Sequence, residues 1–232
     1  MLTASIADWD RKATTAETIA EIKRAKADGL EIYGQSGSQY LYLPEDTWKV
    51  NVPLRDKASR EAMWNGLKEG VIDCLGSDHV NHGVPRSDME VPGNVWATIS
   101  GFSSRVEALL PIVLSEGVNK GRFDLQKAVQ VLCENPARIF GLFPKKGAIS
   151  VGSDADLVVL DMDRELKVNK DMVFTSAGWS IFEGHTFKGW PIMVFRHGQR
   201  VMDWQQGKKA QLFDGPKARY IGRRLGEKFL FD

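Results

Sequence analysis

One short stretch, Gly76-Ser77-Asp78-His79-Val80-Asn81-His82, holds a carboxylate and two imidazoles directly after the apolar run Val71-Ile-Asp-Cys-Leu75. An acid at the end of a buried strand stands where parallel-sheet enzymes place their catalytic groups. There a carboxylate can bind a divalent metal, or take a proton from a metal-bound water and pass it to a leaving group. Spacing alone leaves a plainer alternative open, in which Asp78 caps a turn and His79 and His82 hydrogen-bond nearby backbone.

The elements around this stretch read as α/β. Residues 14–29 form a helix: Thr14 and Glu17 have capping-box spacing, Ala16, Ile19, Ile22 and Ala25 give an apolar stripe, and Gly29 ends it. Leu30 to Gly34 reads as a buried strand, followed by a loop through Pro44, Asn51 and Pro53. Residues 57–69 form a second helix with Ala62, Met63 and Leu67 inward, closed by Gly70, and Val71 to Leu75 is the next strand. A long Gly- and Pro-bearing loop, 80–103, comes next, of a length usually tied to function or mobility. From Ser104 a helix carries Val106, Leu109, Leu110, Val113 and Leu114 at helical spacing, with Gly117 as its stop. Residues 124–134 repeat the pattern under an Asp124 cap, with Leu125, Ala128, Val129 and Leu132 inward. Asn135-Pro136 opens a third helix that Gly141 ends.

After Pro144 the pattern turns to strands, at Gly147 to Gly152 and Ala155 to Leu160. Met193 to Arg196 and Arg200 to Met202 flank His197-Gly198 as a tight hairpin. The expected division is 1–145 as an α/β unit, 146–205 as a small β-rich unit and 206–232 as a basic tail, packed on a surface or a neighbouring subunit.

Composition bounds the partners. The 232 residues carry 31 basic and 30 acidic side chains, a net charge of +1, with 43% hydrophobic residues, as in soluble globular proteins. No basic surplus favours nucleic acid or an anionic membrane, and no apolar run suffices to span a bilayer. The N-terminus lacks the basic flank and apolar core of a signal peptide, and Cys74 and Cys133 read as buried reduced thiols. The expected location is the cytoplasm.

Gly76-Ser-Asp-His79 resembles the end of the last barrel strand in the amidohydrolase superfamily, in its cyclic amidohydrolase branch. Lys49-Val-Asn-Val-Pro-Leu-Arg55 is similar to the loop before it in hydantoinases, dihydropyrimidinases, allantoinases and dihydroorotases. Leu114 to Gly121, Glu134-Asn-Pro-Ala-Arg-Ile-Phe-Gly141, Val151 to Val158 and Phe182-Glu-Gly184 with Gly189 continue the match in family order, so the resemblance covers residues 14–205. Hydantoinase or dihydropyrimidinase is the nearest subtype, because Gln39-Tyr40-Leu41 stands where dihydroorotases and allantoinases more often carry a His.

The resemblance implies the C-terminal part of a metal-dependent (β/α)8 barrel, strands 7 and 8 with their helices, followed by a small β-sandwich segment. It implies that Asp78 ligates the metal, zinc before others, and shuttles the proton. Asn51 and Ser100-Gly101 are implied to contact a cyclic amide substrate through main-chain groups, although for Ser100-Gly101 a simple loop turn stands equally open. His79 is implied to support the ligand from behind, and His82 to be an exposed rim residue.

Two departures stand out. The family's metal site also uses a His-x-His pair, a carbamylated lysine and two single histidines, yet the chain's 4 histidines all lie at position 79 or beyond. Lys12 stands near the place of one of them, and a protonated lysine cannot ligate a metal. The stretch Ser5 to Ala13 also lacks the apolar run of a barrel strand. Arg105, in a segment one residue longer than in relatives, adds a cation near the substrate mouth. The expectation is therefore the C-terminal half of a cyclic amidohydrolase that loses its binuclear centre when alone. It would act with a complementary N-terminal half or as a homo-oligomer; the alternatives are a non-catalytic dihydropyrimidinase-like scaffold and an inactive truncated fragment.

Overall fold

Thr15, one residue later than Thr14, caps the first helix. Its hydroxyl accepts the Thr18 N–H at 3.2 Å, and α1 runs Ala16–Ala27 with Ile19 and Ile22 buried. The computed structural model describes residues 13–103, 105–207, 209–222, 224–225 and 228–229. The expectations for Lys12 and for most of Ser5 to Ala13 lie outside them.

The strand expected at Leu30 to Gly34 is displaced: β1 is Gly34–Gly37. Leu30 is exposed, and a polar clip starts the strand instead. Asp73 takes the Gly34 N–H and the Lys26 ammonium on one oxygen, each at 2.7 Å. The chain turns at once into the single turn α2, Ser38–Tyr42. Helix α3 spans Lys57–Glu69 as its pattern predicts, with the Asp56 carboxylate accepting the Ser59 N–H at 2.8 Å and Gly70 closing it at φ +77°. β2, Ile72–Gly76, pairs in parallel with β1, Ser36 beside Leu75 and Gly37 beside Gly76. On the other side of β1, Ala13 donates its N–H to the Gln35 carbonyl at 2.9 Å.

The long loop holds one turn of helix, α4 at Arg86–Met89. Helix α5, Arg105–Ile112, continues in wider π turns over Val113–Asn119 and so passes Gly117, the expected stop. Gly117 serves close approach: a Cβ there would meet the Phe123 ring at 2.5 Å and Trp64 at 3.2 Å. Val106 is exposed, and the inward face is Arg105, Ala108, Pro111 and Ile112. Asp124 caps α6, Leu125–Val129, which extends as π turns through Glu134; Ala128 and Val131 face in, while Leu125 and Val129 face solvent. In α7, Asn135–Ile139, Asn135 is helical rather than a cap, and its amide donates to the Asp73 carbonyl at 2.8 Å.

Residues 147–152 form turns, not a strand: Ile149 and Val151 are fully open to solvent. Asp154, paired with Lys145 at 3.4 Å and Lys146 at 2.9 Å, pins the segment. The second sheet is antiparallel in the order β3 (Leu157–Lys167), β4 (Thr186–Arg196), β5 (Gln199–Asp203), β6 (Gln211–Leu212). His197 and Gly198, at φ +48° and +78°, make the expected two-residue turn, and β6 comes from the tail.

The apolar core is continuous across both sheets. Tyr42 after β1 packs edge-on against Phe187 of β4 at 5.0 Å between ring centres, and Phe102 meets Phe182 at 6.3 Å. Cys74 is buried, its thiol pushed up to about 12 by burial, but Cys133 lies on the exposed face of its helix, contrary to expectation. Among the described residues no helix is long and apolar enough to cross a membrane.

Candidate functional site

β1 and β2 end level with one another at Gly37 and Gly76, and the polar residues that follow gather at this edge. Asp78, two residues past Gly76, sits at φ +49°, a conformation Asp tolerates better than most side chains. Its Oδ2 accepts a hydrogen bond from Arg105 Nη1 at 2.8 Å. Sequence placed Arg105 near the substrate mouth. It stands there against Asp78, with its side chain buried to 1% exposure, against 35% for Asp78. Nε of Arg105 donates to the Phe102 carbonyl at 3.1 Å, and the guanidinium lies 4.2 Å over the Phe102 ring. Burial draws the Arg105 pKa down, and the negative Asp78 beside it opposes that shift.

Asn51, Ser100 and Gly101 lie far apart in sequence and meet in the fold. The Asn51 N–H donates to Ser100 Oγ at 3.1 Å, and Gly101 N–H to the Lys49 carbonyl at 3.0 Å. Trp48 Nε1 donates to the Gly101 carbonyl at 2.9 Å. Gly101 is needed for its φ of +89°, and a Cβ there would stand 3.3 Å from Arg105 Nη2. This turn therefore touches the group that holds Asp78. His82, expected as an exposed rim residue, is half-buried and bonds the Ser100 carbonyl through Nε2 at 3.1 Å. His79 sits beside Asp78 with its N–H donated to Ser77 Oγ at 3.3 Å, and its buried Nδ1 has no hydrogen-bond partner among the described residues.

A cavity of about 300 Å³ opens at this edge, lined by Gln35, Ser36, Gly37, Gln39, Tyr40, Gly76 and Asp78. The Tyr40 hydroxyl donates to the Val52 carbonyl at 2.9 Å. Its pKa is pushed up to about 12, first by burial and then by the charge of Asp78. Sequence marked Gln39 and Tyr40 only as a sign of subtype and did not mark Gln35; the available signal for all three was polar Gln-Ser-Gly-Ser-Gln where a buried strand should end.

Among the described residues Asp78 is the only acid lining this cavity, its Oδ2 is held by a guanidinium, and a guanidinium cannot ligate a metal. Among the described residues no three of His, Cys, Asp or Glu gather as a metal set. These residues by themselves do not fit a divalent metal centre.

The fold and this edge define a class. Residues 8–201 match the model of the Amidohydrolase family, and the chain belongs to it, with a hydantoinase-like fold of mixed α and β content. Members are in general metal-dependent. It is 38% identical over 191 residues to the L-hydantoinase of Paenarthrobacter aurescens, covering 78% of this chain and 41% of that protein. The D-hydantoinase of Rhizobium radiobacter is 33% identical over 200 residues, covering 82% of this chain and 43% of that protein. Among solved structures, the L-hydantoinase (dihydropyrimidinase) from Arthrobacter aurescens superposes with a TM-score of 0.78 at 33% identity, over 86% of this chain and 47% of that one. The chain spans less than half the length of each of these relatives.

Proposed function

We propose that this chain carries the proton-transfer carboxylate and the ring-facing loops of a hydantoinase- or dihydropyrimidinase-like enzyme. The reaction is hydrolysis of an amide C–N bond in a cyclic imide or ureide. One observation carries the reading: Asp78, two residues past β2, lines a cavity, and the stitched Asn51 and Ser100-Gly101 turn touches the Arg105 that holds it. On this reading water oxygen adds to a ring carbonyl carbon, Asp78 takes the water proton, and the ring C–N bond breaks. Asp78 then returns the proton to the departing nitrogen, leaving a carboxylate and a free N–H. Main-chain groups at Asn51 and Ser100-Gly101 orient the ring, and His79 backs Asp78.

β1 and β2 then correspond to strands 7 and 8 of the barrel within 1–145, residues 146–205 to part of the β-sandwich, and 206–232 to a subunit-contact tail. The remaining donors of a zinc site belong to a complementary N-terminal half, the partner this reading requires in the cytoplasm. To test it, the chain is co-expressed with the N-terminal half of the Paenarthrobacter aurescens relative, and hydantoin opening is assayed with added zinc. A complex whose activity disappears in Asp78→Asn is expected; neither complex nor activity overturns the reading.

A second reading, a non-catalytic scaffold, is favoured by the Arg105 guanidinium that already neutralises Asp78. It predicts a defined oligomer without metal, and near-stoichiometric zinc in the purified chain counts against it.

A further inference from the structure

Gln39 and Asp78 each stand two residues beyond the paired glycines that end β1 and β2, and both line the same cavity. Gln39 is fully buried, yet its Oε1 and Nε2 have no hydrogen-bond partner of sound geometry among the described residues. The neighbouring Tyr40 hydroxyl feels the amide but gives its own hydrogen to Val52. A buried carboxamide with neither group satisfied is costly, and native proteins hold few such groups, each calling for a partner such as a bound ligand. The seat for it is built: a Cβ on Gly37 would lie 2.5 Å from Oε1 and 2.7 Å from Nε2, so only glycine leaves room for the amide.

We propose that Gln39 reads the amide edge of the ring. A carboxamide offers one acceptor and one donor side by side in a plane, a pattern that Asn and Gln use to grip a base edge in two hydrogen bonds. The matching edge needs an N–H and a C=O that point the same way. Open-chain secondary amides are trans, with N–H and C=O on opposite sides, whereas a five- or six-membered ring forces the cis arrangement. Oε1 therefore accepts the ring N–H while Nε2 donates to the adjacent ring carbonyl. Opening the ring at that C–N bond turns the carbonyl into a carboxylate and the nitrogen into NH2, so the gripped N–H and C=O are no longer joined in one edge and the same residue that selects the cyclic ureide releases the product. This inference rests on the cyclic amidohydrolase reading and names how that site tells a ring from a chain.

The test titrates the purified chain with hydantoin and with its opened form, N-carbamoylglycine, following amide chemical shifts by NMR. The wild type is expected to bind hydantoin at least tenfold more tightly than the opened form. Gln39→Leu should weaken hydantoin at least tenfold and erase that preference. Gly37→Ala provides the second variant: Gly37 has an ordinary extended backbone, φ −129° and ψ 154°, so a methyl there disturbs the Gln39 amide and not the chain path. It should lower hydantoin affinity with the dispersed spectrum retained. Unchanged hydantoin affinity in a folded Gln39→Leu or Gly37→Ala chain overturns the role of Gln39 and leaves the amidohydrolase reading standing. A wild-type chain that binds neither compound overturns this proposal, while the co-expression assay separately decides the reading beneath it.

Discussion

β1 and β2 are four and five residues long and end in glycine, whereas β3 and β4 run eleven residues each. The long antiparallel pair is held by its own ladder and by apolar side chains, Phe187 and Trp190 among the most buried. The short parallel pair instead closes over polar groups: Ser36, Ser38, Gln39 and Arg105 are all buried at or near its edge. Ser38 Oγ and both polar atoms of Gln39 lack partners among the described residues. Buried polar groups cost stability unless each finds a partner. The parallel edge thus holds its polar cluster at the expense of stability, and the antiparallel sheet with its shared aromatic core supplies the stability.

Phe187→Ala breaks the comparison most severely. Phe187 is fully buried between Tyr42 and Phe182, the rings through which the two regions share a core. The substitution should cost about 4 kcal/mol in urea unfolding, as one transition seen alike by fluorescence and far-UV dichroism. Two separate transitions would show that the sheets fold independently. Next in size is Asp78→Ala, which leaves the buried Arg105 cation unpaired. We expect a loss of about 3 kcal/mol, at the low end for a broken buried pair because Asp78 is a third exposed. Adding Arg105→Met should restore most of it; a double variant no more stable than Asp78→Ala would mean that the ion pair is not the cause.

The same contrast explains what sequence could show. α3 with its Asp56 cap and Gly70 stop, the Asp124 cap and the His197-Gly198 turn are local signals, decided within a few residues, and each was legible. β1 was not, because Gly-Gln-Ser-Gly contains no apolar side chain, and its start is set by Asp73 from another strand. Residues 147–152 look strand-like, yet no ladder partner meets them among the described residues. Asp78 and the Asn51 and Ser100-Gly101 loops could be picked out by resemblance. The burial of Arg105 and the unpaired Gln39 amide could not, since each depends on neighbours distant in sequence.

Two smaller effects sharpen the boundary between the regions. Asp56→Ala removes the cap from α3 and should cost about 1 kcal/mol, read by urea unfolding, without altering the aromatic core. Smaller still is a pH effect at the seam, where His185 Nδ1 lies 2.9 Å from the Tyr42 hydroxyl and the imidazole stacks on Phe187. Burial lowers the His185 pKa below its ordinary value of 6.5. The unfolded chain then binds the proton more readily than the folded one, so stability is intact above 6.5 and is lost as the pH falls below it. Carboxylates lowered by pairing, such as Glu61 with Arg122 and Asp154 with Lys146, lose their contribution only at lower pH. Thermal unfolding between pH 7.5 and 5.5 therefore isolates the imidazole, and His185→Gln should flatten the fall in Tm over that interval. A slope that persists unchanged in this variant would place the pH sensitivity elsewhere, leaving the Tyr42, His185 and Phe187 contact as packing alone.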